Sequence, residues 1–74
     1  MSERQPILIE FGEIVRKERT KLGISQEDMA IRAGVHRTYI GMLERAEKNI
    51  TLENIEKIAN ALGYTVREFF ALFR

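Results

Sequence analysis

Ser25-Gln-Glu-Asp-Met-Ala-Ile-Arg-Ala-Gly34-Val-His-Arg-Thr-Tyr-Ile-Gly-Met-Leu-Glu-Arg45 reads as two short helices joined by one tight turn. Ser25 can cap the first helix. Asp28, three residues on, completes the Ser-x-x-acid capping pattern, and Met29, Ala30 and Ala33 form the apolar stripe. Gly34 then stops the helix, because a glycine just past a C-terminus accepts the left-handed conformation that other residues resist. The chain restarts at Val35 to His36. At about 100° per residue, Ile40 and Leu43 share one side of the second helix. Arg37, Thr38, Gly41, Arg45 and the edge of Met42 lie on the other. Two helices around such a turn form a helix-turn-helix, whose second helix is sized for the DNA major groove. Residues 37–45 are therefore the expected recognition helix, within a motif spanning about 25–45.

The charges at helix starts point the same way. Acids are favoured in a first turn by the helix dipole, and Glu27 with Asp28, Glu53 and Glu68 comply. The recognition helix instead opens His36-Arg37-Thr38-Tyr39, with a cation where a cation is disfavoured and a histidine where a small oxygen cap is preferred. A local rule broken at one helix marks a place where function is expected, and a positive helix start suits phosphates and base-edge acceptors.

Ser25-Gln26-Glu27-Asp28-Met29-Ala30, Ala33-Gly34-Val35, Ile40, Leu43-Glu44-Arg45 and Ile58-Ala59-Asn60-Ala61-Leu62-Gly63-Tyr64 resemble the phage-repressor-like (XRE) helix-turn-helix family over roughly residues 8 to 70. The run Arg37-Thr38-Tyr39-Ile40, followed by Glu44-Arg45 and Asn49-Ile50-Thr51, is most similar to controller proteins of restriction-modification systems within it. The resemblance implies an all-α, compact five-helix bundle with its helix-turn-helix at helices 2 and 3. It also implies a structural ion pair between Arg19 and Glu44, and a Gln26 that touches DNA backbone or an outer base. Ala46 departs from the glycine that many members carry after Glu-Arg, which implies a loop of different shape.

Seventy-four residues make one expected domain, 1–74, and a chain this short buries only about 60% of the surface its unfolded form exposes. With no cysteine there is no disulfide and no thiolate metal site, so added stability is expected from a partner subunit. No apolar run approaches the roughly 20 residues of a membrane span, and residues 1–10 lack a signal-peptide layout, so a cytoplasmic location is expected. A net charge of +1 by itself argues against a nucleic-acid partner. Placement counts for more, since Arg32, Arg37, Arg45 and Lys48 cluster around the motif and predict a local basic patch with salt-sensitive binding.

Pro6 suits an early position of a first helix patterned by Leu8, Phe11, Val15 and Leu22 and ending at Gly23. Ile7 and Ile9 are expected to cover the core from the N-terminal end, with a dimer contact as the alternative. Thr51 caps a fourth helix with Leu52, Ile55, Ile58, Ala59 and Leu62 inward, stopped by Gly63. Thr65 and Glu68 frame a fifth. Of its apolar residues, Phe70 and Val66 are expected to close the core. Tyr64, Phe69, Leu72 and Phe73 are left as a patch for a homodimer interface, or alternatively for folding back on the chain's own core. Residues 51–73 thus carry core and dimerisation.

Arg37 is the leading base reader, since its guanidinium can donate two parallel hydrogen bonds to O6 and N7 of guanine; a phosphate contact is the alternative. Thr38 offers a hydroxyl to a base edge or a methyl to thymine, or is simply a solvated helix surface. Gly41 costs roughly 1 kcal/mol inside a helix, which points to close DNA approach or to packing. Met42 offers an apolar base contact. Ser25 and the amides beside it can hold a phosphate. Tyr39, Arg45, Lys48 and Asn49 are placed for phosphate contacts that set register, with half-buried packing the alternative for Tyr39. His36 either touches DNA or is a solvated or capping residue.

One histidine, no cysteine and no phosphate loop leave an enzyme without parts, and no cofactor, metal or small-molecule ligand is expected. The rivals are a phage repressor, an antitoxin-type regulator, or a protein-interaction module that kept the fold without DNA binding. The arginines at 37 and 45 oppose the last. The sequence thus points to a homodimeric regulator with recognition helices about 34 Å apart on a palindromic operator. The controller resemblance further implies control of its own gene and of an endonuclease gene, with RNA polymerase as a possible partner.

Overall fold

Five helices order the computed structural model, which describes residues 5–74: α1 Pro6–Lys21, α2 Gln26–Ala33, α3 Arg37–Glu44, α4 Leu52–Ala61 and α5 Val66–Phe70. There is no strand among the described residues. Local chemistry sets most of the boundaries. Ser25 Oγ accepts from the Asp28 amide at 3.0 Å while Asp28 Oδ2 accepts from the Ser25 amide, and Thr65 with Glu68 repeats this reciprocal box at α5. Thr51 Oγ1 accepts from the Asn54 amide and so starts α4.

The core lies between α1, α2, α4, α5 and the buried side of α3. Val15, Met29, Ile40, Ile58 and Phe69 are its largest fully enclosed side chains. α1 meets α3 at Gly12, a buried residue with backbone carbonyls of α3 directly over it. Glu18 is also buried. Its carboxylate accepts from the Tyr64 hydroxyl at 2.6 Å and lies 3.5 Å from Lys21 Nζ, which ties α1 to the turn between α4 and α5.

Several packing expectations are corrected. Phe69, expected at the surface, is fully buried and meets the Phe11 ring edge-on at 5.6 Å, whereas Phe70, expected inside, is 44% exposed. Adjacent phenylalanines differ by about 100° around a helix, and a five-residue helix is too short for its stripe to fix the phase. Tyr64 is half-buried with its hydroxyl on Glu18, and Phe73 packs partly on the core, so Leu72 is the one expected interface residue that stands exposed. Leu22 is exposed because it follows the last residue of α1, where the helical period no longer applies, and Ile24 packs against the core instead. Leu52 is 71% exposed on the first turn of α4, beside Glu53, Glu56 and Val66. Ile7 and Ile9 are exposed rather than covering the core. Val66 is half-buried.

At Ala46 the expectation of a differently shaped loop meets a backbone at φ +59°, the left-handed conformation that a glycine favours. The alanine methyl is itself buried. Burial of that methyl offsets part of the cost of the conformation.

The Tyr64–Glu18 bond gives a first test. The bond to the Glu18 carboxylate, followed by burial and the charges of Glu18 and Glu68, raises the Tyr64 phenol above its ordinary value. A raised phenol favours the neutral form in the folded chain, so this contribution is complete below the unfolded phenol pKa and is lost as pH climbs through the folded one. A spectrophotometric titration is expected to show a tyrosine ionising above the usual phenol range, with that step absent in Tyr64→Phe. Loss in the variant of a step within the usual phenol range instead would remove the bond from the account.

Candidate nucleic-acid interface

The motif owes its geometry to the Gly34 turn. Gly34 adopts φ +71° and ψ 35°, its N–H bonds back to Ala30 and Ile31, and the Val35 amide donates to the Ala30 carbonyl at 3.0 Å. α3 then starts at His36, whose Nδ1 accepts from the Thr38 amide at 3.1 Å. The histidine is thus a side-chain cap of the recognition helix, doing what Ser or Asp does elsewhere. α1 also lacks a first-turn acid, so α3 is set apart by its cation rather than by the missing acid alone.

A polar brace fixes α3 against α1 and α2. Arg19 grips the Glu44 carboxylate with two parallel bonds, Nε to Oε2 at 2.7 Å and Nη2 to Oε1 at 3.1 Å, while its Nη1 donates to the Ile24 carbonyl at 2.9 Å. Gln26 Nε2 donates to the same Oε1 at 3.0 Å. The Glu44 side chain is only 3% exposed. Its hydrogen bond raises the Arg19 pKa above the ordinary guanidinium value, burial opposes this, and the carboxylate charge adds to it. Gln26, expected at DNA, therefore spends its amide nitrogen inside the protein, which leaves its carbonyl oxygen to face the cleft beside Gly41.

An open cleft of about 550 Å³ runs between the start of α2 and the outer side of α3. Ser25, Gln26, Arg37, Thr38, Gly41 and Arg45 line it, so the structure brings these expected residues onto one surface. Arg37 and Thr38 are exposed on the first turn of α3. Gly41 is buried beneath neighbouring side chains, where a Cβ would lie 3.1 Å from Arg45 Nη1 and 3.4 Å from Gln26 Oε1. Met42 is half-buried. Tyr39 packs against the core, and its hydroxyl accepts from Asn54 Nδ2 at 3.1 Å, which anchors α3 to α4. Lys48 and Asn49 are exposed on the loop after α3, and Asn49 Oδ1 accepts from the Ile50 amide.

The expected basic patch is less bare than the sequence suggests. Arg37 Nη1 lies 3.2 Å from Glu27 Oε2, and Arg45 Nε lies 3.0 Å from Glu47 Oε1. Sequence reading assigned Glu27 to the helix dipole alone. Its placement ten residues before Arg37, across a tight helical turn, was the available signal.

Fold and surface together define a DNA-binding helix-turn-helix domain. A family model for the helix-turn-helix matches residues 15–69, and the chain belongs to that family, whose members regulate transcription and are not enzymes. Within it the chain groups with restriction-modification controllers. It is 50% identical over 54 residues to control protein C.BamHI of Bacillus amyloliquefaciens, covering 72% of this chain and 67% of the relative. To control protein C.MunI of a Mycoplasma species it is 39% identical over 66 residues, covering 88% and 89%. The crystal structure of controller protein C.AhdI from Aeromonas hydrophila superposes with a TM-score of 0.84 at 42% identity, covering 89% of this chain and all of the other. The controller C.Esp1396I, solved as a tetramer on its natural 35-base-pair operator, superposes at 0.86 with 31% identity over 92% of this chain and 90% of its own.

Proposed function

We propose that the protein controls a restriction-modification system by binding a two-fold-symmetric operator as a homodimer. The observation that carries this reading is the capped α3, braced through Glu44, with Arg37 and Thr38 exposed at its start. In this reading Arg37 donates to a guanine edge and Thr38 and Met42 contact neighbouring bases, while Gly41 leaves room for the Arg45 and Gln26 side chains that lie over it. Ser25, the Gln26 carbonyl, His36, Arg45, Lys48 and Asn49 flank them as contacts to backbone or outer bases, while Tyr39 positions α3. Exposed Leu52 beside Val66, and exposed Phe70 beside Ile7 and Ile55, offer a second copy apolar surface, and exposed Leu72 offers more beside Ile9. The circuit would comprise its own gene and an endonuclease gene, with RNA polymerase as a contact, in the cytoplasm. No described helix is long and apolar enough to cross a membrane.

Selection from random DNA duplexes at two salt concentrations tests the reading. The wild type is expected to enrich a symmetric site, bound more weakly as salt rises. Arg37→Ala should lose about 1 to 3 kcal/mol on that site and relax preference at one base position per half-site. Failure of the wild type to enrich any sequence would overturn operator binding. An equal loss in Arg37→Ala on every sequence would make Arg37 a phosphate contact.

A further inference from the structure

Glu27 poses a question that its place at a helix start does not answer. Its carboxylate stands on the cleft surface facing DNA in the proposed reading, where a negative charge opposes a polyanion. The first turn of α2 already has Asp28 for the dipole and for the capping box, and the Asp28 side chain is committed to the Ser25 amide. Glu27 reaches across the motif instead, to Arg37 Nη1 at 3.2 Å. Both side chains are well exposed, at 63% and 68%, so the contact adds little to folding. Its consequence falls on how Arg37 meets DNA.

We infer that Glu27 is a specificity-determining residue that holds the Arg37 guanidinium for a guanine edge and penalises its use on phosphates, an inference that rests on the DNA-binding reading above. A guanidinium has five N–H donors in a fixed planar fork. Two can serve O6 and N7 of a guanine while another stays on Glu27, so at a cognate site the carboxylate keeps its partner. At a non-cognate site Arg37 turns to the phosphates. Glu27 is then left unpaired beside like charge, which is repulsion directed against the wrong partner. The acid thereby lowers affinity for DNA in general and spares the operator.

The test uses Glu27→Gln, which keeps the shape and removes the charge. Dissociation constants are measured for the enriched site and for an unrelated duplex, in the wild-type and Arg37→Ala backgrounds. The variant is expected to bind the unrelated duplex about 3- to 10-fold more tightly and the enriched site within about 2-fold of wild type, so that discrimination falls several-fold. In the Arg37→Ala background the same change should leave discrimination unaltered. Equal tightening on both duplexes, or the same fall in discrimination without Arg37, would overturn the inference and leave Glu27 as a general charge. Loss of preference at a separate base position would overturn it in favour of Glu27 reading a base itself. If the wild type discriminates no sequence at all, the DNA-binding reading falls with it, whereas a discriminating wild type with an unchanged variant removes only the role of Glu27.

Discussion

Glu44→Ala is expected to lower folding stability by about 3 to 5 kcal/mol, measured by chemical denaturation of the free protein. The intact ion pair need not stabilise much by itself, because bringing both charges out of water offsets their attraction. Truncation is different. The Arg19 side chain, 14% exposed, would keep its charge with only the Ile24 carbonyl for a partner, and the Gln26 amide would lose its acceptor. A loss of this size is comparable to the whole stability of a small domain, so the variant should be largely unfolded as a free chain. Operator DNA should recover part of the fold, since a ligand that binds only the native state pulls the equilibrium back. Glu44→Gln separates charge from shape. It keeps one acceptor oxygen for Arg19 and should fall between wild type and Glu44→Ala. A cost below about 1 kcal/mol for the alanine variant would mean that water takes over the stranded guanidinium.

The readability of this chain divides along a physical line. Features fixed by neighbours in sequence were legible: the Ser25–Asp28 and Thr65–Glu68 boxes, the Gly34 turn and the inward side of α3 each depend on residues within one or two turns. Features fixed by distant elements were not. Whether Phe69 or Phe70 enters the core depends on how α5 lies over Phe11, which no local period encodes. Glu18 sits within a strongly charged stretch of α1, and nothing local marks it for burial because its donor, Tyr64, lies 46 positions later. Within the site, Arg37 and Thr38 were legible as exposed positions on α3. The competing demands on its polar groups were not: Gln26 is drawn inward by Glu44, and Arg37 is met by Glu27. Ala46 shows the converse, a local preference overridden by the fold, since the turn takes a left-handed backbone at a residue that does not favour it.

Gly12 was the most consequential residue to escape sequence reading, for the same reason. Gly12→Ala is expected to destabilise the protein by about 2 kcal/mol net, even though alanine would gain about 1 kcal/mol over glycine in an isolated helix. A Cβ there would lie 2.5 Å from the Leu43 carbonyl oxygen, 2.8 Å from that of Glu44 and 3.0 Å from the Glu44 carbonyl carbon. All three are backbone atoms at the end of α3, so no flexible side chain can swing clear. α1 and α3 must separate instead. Gly41 supplies the control within the same molecule, because the atoms nearest its added Cβ are side-chain ends, Arg45 Nη1 at 3.1 Å and Gln26 Oε1 at 3.4 Å. Gly41→Ala should therefore leave stability unchanged or raise it by up to about 1 kcal/mol. Unfolding free energies of the two variants, from chemical denaturation, should differ by at least about 2 kcal/mol. Equal responses would show that close helix approach is not what selects glycine at position 12. The separation of α1 from α3 has a further effect, because Arg19 on α1 reaches Glu44 at the end of α3, one residue beyond the Leu43 carbonyl that meets Gly12. Gly12→Ala should loosen that ion pair as well. Combined with Glu44→Ala, it should then cost less than the sum of the two single changes, as expected when one contact surface carries both.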